Sequence, residues 1–120
     1  KRRTPARLPR LQLPAAIATN HYNAWMVIGL CVIELSLAGC SSLKEKRSLV
    51  KPILARLPKS FNLAVAEVGS QDVWGAAEIA LVSVSGGDTG KMHGLLEHAA
   101  AWIEAHFPDV EVVGSRIEIL

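Results

Sequence analysis

Two cysteines among 120 residues, Cys31 and Cys40, are too few for a disulfide framework. No apolar run reaches the roughly 18 residues a membrane-spanning helix requires. The first 25 residues contain neither an acid nor a serine, yet hold five bases: Lys1, Arg2, Arg3, Arg7 and Arg10. That stretch carries +5, while the eight bases from Met26 onward face all 11 acids and leave −3. The net charge of +2 thus belongs to the N-terminal stretch and is a poor guide to the partners of the rest. Pro5, Pro9 and Pro14 with no sustained periodicity read as a flexible basic arm over residues 1–25. We expect Met26 to open the domain, with the arm as upstream or expression-derived sequence rather than a functional extension. An Arg-rich, acid-free start also fits an organelle transit peptide, but its lack of serine argues against one.

Two apparent signals fail on missing pieces. "LAGCSS" at 37–42 has the form of a lipoprotein cleavage box on Cys40, but Glu34 interrupts the apolar segment before it. An acid there costs about 2.5–3.5 kcal/mol on insertion scales. "SGGDTGKM" at 85–92 has Ser85 and Met92 where a phosphate loop needs Gly and Ser or Thr, and reads as a capped turn. His93, Glu97 and His98 lack a third metal ligand from the same face, so no metal is expected. His106 falls near a helix C-terminus, where a cation is favoured without any functional role. A cytoplasmic protein without membrane contact is the expectation.

What remains from Met26 to Leu120 is a regular alternation of elements. "MVIGLCVIELSL" (26–37) is a strand rich in β-branched and aliphatic residues. Ser42 and Glu45 form an S-x-x-E capping box that opens a helix. Leu43, Leu49, Val50, Ile53, Leu54, Leu57 and Phe61 line its apolar stripe. Pro52 should bend this helix and Pro58 should end it. "NLAVAEVG" (62–69) and "AAEIALVSVS" (76–85) are the next two strands. Asp88 caps a second helix running to Phe107, with Met92, Leu95, Leu96, Ala99, Trp102 and Ile103 inward. "VEVVGSRIEIL" (110–120) is the last strand, with Val113, Ser115, Ile117 and Ile119 on one face.

The order β-α-β-β-α-β predicts an α+β, ferredoxin-like domain over residues 26–120. Its four-stranded antiparallel sheet is expected in the order 4-1-3-2, with both helices on one face. Ile28, Leu30 and Val32 alternate with Cys31, Ile33 and Leu35, so the open face is partly apolar and suits a homodimer or a protein partner.

"SLKEKRSLVKPIL" and "FNLAVAEVGSQDVWGAAEIALVSVS" resemble the YlxP-like family of uncharacterised bacterial proteins. The resemblance runs essentially from Met26 to Leu120 and is most specific at Ser42–Arg47 and Ala66–Trp74. It implies a small ferredoxin-like protein with no cofactor and no established catalytic residues. Genes of the family often lie beside those for a translation initiation factor and a ribosome-binding factor, which implies a role in ribosome assembly or translation. Gly75 stands where the family pattern carries a longer polar side chain.

The helix start carries charge of the disfavoured sign. Lys44, Lys46, Arg47 and Lys51 crowd its first turns against Glu45 alone, although the helix N-terminus already presents partial positive charge. Each such base costs about 0.3–1 kcal/mol when exposed at low salt. Local rules tend to be broken where function requires it. With the family's neighbourhood, these four residues are expected to contact RNA phosphates, on ribosomal RNA or a ribosomal subunit, with no DNA specificity indicated. The bland counterpart is a solvated basic face. Asp72 and Trp74, in the connection "SQDVWG", form a second expected contact patch. Their structural counterpart has Trp74 folding back over the sheet end and Asp72 closing a local turn. Glu67, Asp72 and Glu78 offer paired carboxylates, but no histidine or nucleophile accompanies them by spacing, so no enzyme is expected.

Overall fold

The structure, a computed structural model, describes residues 25–120. The basic arm expected over residues 1–25 lies outside them except for Trp25. The chain runs β1 (Val27–Ser36), α1 (Leu43–Ser60), β2 (Ala64–Gly69), β3 (Ala76–Ser85), α2 (Thr89–His106) and β4 (Glu111–Ile119). The strands form one antiparallel sheet in the order β2-β3-β1-β4. This is the expected ferredoxin-like order, written from its other edge.

β1 is central, paired to β3 from Val27 to Ser36 and to β4 from Gly29. A cut before Cys40 would remove the middle of the sheet. Val27, Cys31, Ile33 and Leu35 face the helices and are essentially inaccessible, as are Ile79 and Leu81 of β3. Val50, Ile53 and Leu57 from α1 and Met92, Leu96, Ala99 and Ile103 from α2 complete the core. Both helices thus bury the stripe that their spacing predicted. At their C-terminal ends Arg56 lies 5.3 Å over Trp102 and 5.0 Å over Phe107, a cation–π contact joining α1 to α2.

Pro58 does not end α1, which continues to Ser60 and closes with the Phe61 N–H bonded to the Leu57 carbonyl. A proline removes the donor to the carbonyl four residues back. Pro52 and Pro58 both stand on the exposed side, where water can take up that loss. The last strand also departs from strict alternation. A bulge between Glu34 and Leu35 of the β1–β4 pairing makes Val113 the extra residue. Val112 turns to the core with Ile117 and Ile119, and Val113, expected to share their face, is 56% exposed.

Gly29 marks the tightest approach of a helix to the sheet. A Cβ at this position would come within 2.6 Å of Met92 Cγ and 2.9 Å of Leu96 Cδ1. Alanine is otherwise better than glycine in a strand, so the sign of a substitution depends on this crowding. Because Met92 and Leu96 are buried and cannot swing into solvent, overpacking wins. Gly29→Ala is expected to destabilise the domain by about 1–3 kcal/mol in urea unfolding, and adding Met92→Val should recover part of the loss.

Candidate nucleic-acid interface

α1 and β2 run antiparallel, and their lengths bring two distant stretches of sequence together. Eighteen helical residues cover about 27 Å. The return through residues 61–69 covers about 30 Å when extended. The end of β2 and the connection 70–75 therefore arrive beside the first turn of α1.

That turn begins at Ser42, whose hydroxyl accepts the Glu45 N–H at 3.1 Å. The reciprocal half of the box is displaced by one residue. Glu45 Oε1 accepts from the Ser41 N–H at 2.7 Å and the Ser41 hydroxyl at 3.0 Å, rather than from Ser42. The backbone bond to Ser41 is the chief cause that holds the Glu45 carboxyl below its usual range.

Lys46 departs most from expectation. It is 2% exposed and turned inward, not toward solvent. Its ammonium donates to the Ser70 carbonyl and lies 3.1 Å from Glu67 Oε2. Only the charge of that buried oxygen is met, because the contact lacks hydrogen-bond alignment. Ser70 has a left-handed φ of 58°, costly for a residue with a Cβ. Its carbonyl also receives the Val73 N–H at 3.1 Å, so turn and ammonium together fix the strained residue. Lys46 is a staple between α1 and the β2–β3 connection, and it is not presented to an external phosphate. The sequence did carry the signal: Lys46, Val50, Ile53 and Leu57 share one helical stripe, which its charge obscured.

Lys44, Arg47 and Lys51 face solvent. They fall three and four residues apart on one line of α1, and form no ion pair with another described residue. Between this line and the connection lies a cleft of about 280 Å³, bordered by Leu43, Lys46, Arg47, Glu67, Gln71 and Asp72. The Gln71 amide donates weakly to the Glu67 carbonyl at 3.4 Å. Asp72 is exposed and makes no turn hydrogen bond. Trp74 does not fold back, being 51% exposed, and the adjacent Gly75 carbonyl is fixed by the Leu37 N–H at 2.8 Å. Of the expected residues, Arg47 and Asp72 meet at one cleft, Lys44 and Lys51 extend the basic line, and Trp74 stands apart from the cleft walls.

The three carboxylates at the hairpin do not assemble. Glu67 pairs in register with Ile79 and faces the helices, whereas Glu78 pairs with Gly69 and Glu34 on the open face. Glu34 and Glu78 are direct neighbours, normally a repulsive pair. They lean outward: a Cβ on Gly69 would meet Glu78 Oε1, and one on Gly114 would come within 3.1 Å of Glu34 Oε1. Ile28 and Leu30, half-buried, with Val82 and Val84, 43% and 53% exposed, make an apolar strip on this face, bordered on β4 by Arg116 and Glu118 opposite Val32 and Leu30. Burial pushes the Cys31 thiol up to about 11, and desolvation, with Glu45 as a smaller cause, also raises Cys40. Neither is a ready thiolate at neutral pH. Among the described residues no group of three or more His, Cys, Asp or Glu side chains could hold a metal ion, and no helix is long and apolar enough to cross a membrane.

The chain is 33% identical over 92 residues to "Uncharacterized protein YlxP" of Bacillus subtilis (strain 168), spanning 77% of this chain and 98% of that protein. Among solved structures, the solution NMR structure of a de novo designed protein with ferredoxin fold is similar at 13% identity and a TM-score of 0.42, covering 78% of this chain and 82% of that one. The model of the family described as "Protein of unknown function (DUF503)" matches residues 28–117, which takes in every strand and both helices apart from the outermost residues of the sheet. The chain belongs to that family, and is YlxP-like.

Proposed function

We propose that the domain is a non-enzymatic, cytoplasmic RNA-binding protein that associates with the ribosome or its precursors in assembly or translation. The exposed line of Lys44, Arg47 and Lys51 carries this reading. Three cations line the first three turns of α1, with Lys44 in the first turn where the backbone disfavours it, and none is neutralised by another described side chain. Phosphate is the ligand that gains from both the cations and the helix N-terminus. Trp74, half exposed on the β2–β3 connection and apart from the cleft walls, offers a ring on which an unpaired base can stack, worth about 1–3 kcal/mol. Lys46 contributes by holding the connection in place rather than by touching RNA.

Cosedimentation with ribosomal subunits tests this directly. The full chain is expected to pellet with subunits at low salt and to be released at moderate salt. A Lys44→Glu, Arg47→Glu, Lys51→Glu variant of unchanged fold should remain in the supernatant. Equal pelleting of the two proteins would reject the assignment.

The second reading is a protein-interaction module, or a homodimer through the open sheet face, without nucleic acid. It is favoured by the exposure of Val82 and Val84 beside Ile28 and Leu30. Apolar association of this kind strengthens or holds with added salt, opposite to phosphate binding.

A further inference from the structure

Asp72 poses a problem for a phosphate-binding surface. Its carboxylate is exposed beside Arg47 in the same cleft, forms no ion pair with a described residue, and would repel an RNA backbone. The neighbouring Glu67 is different, because Lys46 neutralises it. An unpaired acid at such a place favours binding only if the ligand brings it hydrogen-bond donors. Phosphates and riboses bring few; base edges bring more.

The geometry points to this cleft as a pocket for a single unstacked guanine of the bound RNA, an inference that rests on the RNA-binding reading. The cleft, about 280 Å³, falls just below the span typical of sites for drug-sized ligands and suits one nucleobase. A carboxylate only accepts hydrogen bonds. Guanine alone presents two adjacent donors, N1–H and the 2-amino group, on its Watson–Crick edge. Adenine, cytosine and uracil each set an acceptor beside their donor, and that acceptor would face Asp72 repulsively. Guanine's other edge, O6 and N7, consists of acceptors, and arginine is its commonest partner. Arg47 borders the cleft with five donors, enough to serve this edge and a phosphate together. Gln71 gives one N–H to the Glu67 carbonyl, leaving its amide oxygen and second N–H uncommitted. Leu43 adds an apolar wall for the ring face. Lys46 keeps Glu67 from competing and sets Ser70, two residues before Asp72.

The test uses the full chain and fluorescence anisotropy at one fixed low salt concentration. Short oligouridylates carrying a central guanine, inosine, adenine, cytosine or uracil are compared. The guanine oligomer is expected to bind about tenfold more tightly than the adenine, cytosine and uracil ones. Inosine, which lacks the 2-amino group, should lose most of that advantage. In Asp72→Asn all five oligomers should bind alike. Salt-sensitive binding that is equal for every base would overturn the pocket and leave the RNA reading standing, as would a preference for any base but guanine. Absence of binding to all of them would overturn the pocket and the RNA reading together.

Discussion

Lys46→Met is expected to cost the domain about 2–4 kcal/mol, the largest effect of any single charge removal along α1. The substitution keeps the length and apolar stem of the side chain, so core packing along the stripe with Val50 is preserved. What it removes is the ammonium between Glu67 and Ser70. Breaking a buried ion pair from one side typically costs about 3–5 kcal/mol, because the other charge is stranded. Here the Glu67 side chain keeps 23% of its exposure, so water can reach part of it and the lower range applies. The Ser70 carbonyl loses a charged donor as well, and its left-handed backbone loses one of two restraints.

Against a total stability of about 5–15 kcal/mol, this is a large fraction. Urea unfolding checks it through a lowered midpoint at unchanged slope. A double variant, Lys46→Met with Glu67→Met, should recover at least half the loss, since no stranded charge remains. A single variant as stable as the parent would show that the pair contributes nothing.

How far such features could be seen in advance depends on their range. The β-α-β-β-α-β order and both apolar stripes were legible, because each rests on local periodicity along one element. The meeting of α1's start with the β2–β3 connection needed only lengths: 18 residues down and nine back. Lys46 was legible in its spacing to Val50 and Leu57, yet its charge drew it into the basic group with Lys44 and Arg47. A buried lysine is recognised only with its partner, and Glu67 lies 21 positions away in another element. The bulges that turn Val113 outward and set Gly69 against Glu78 are properties of a strand pair, so one strand's alternation does not show them. Pro58 misled because the cost of a proline depends on whether water can replace the lost bond, a fact of the exposed helix side. The cleft was not legible, since its walls come from two elements.

The second large effect concerns Lys44, Arg47 and Lys51. Replacing all three by glutamine should weaken binding to single-stranded RNA by about 500-fold at roughly 50 mM salt and about 30-fold at roughly 200 mM. The estimate follows from counterion release, which changes log K by about 0.7 per phosphate contact for each tenfold change in salt. Three contacts make the dependence steeper by about two, and the two proteins should converge near 1 M salt, to order of magnitude. Stability should move the other way. Removing Lys44 from the first turn of α1 gains up to about 1 kcal/mol at low salt, and Arg47 and Lys51 lie further along the helix where that penalty fades, so the variant is expected to unfold no earlier than the parent. A site that weakens the fold it sits on while strengthening binding is the pattern expected of function rather than of a solvated face.

Salt titration of RNA binding, with the full chain and the triple glutamine variant measured side by side, is the most direct test. Any contribution of the basic residues before Met26 is common to both proteins and cancels in the comparison. The expected result is two straight lines of log K against log salt, the parent steeper by about two and the lines meeting near 1 M. Parallel lines at every salt concentration would contradict it, and would return Lys44, Arg47 and Lys51 to an ordinary solvated face.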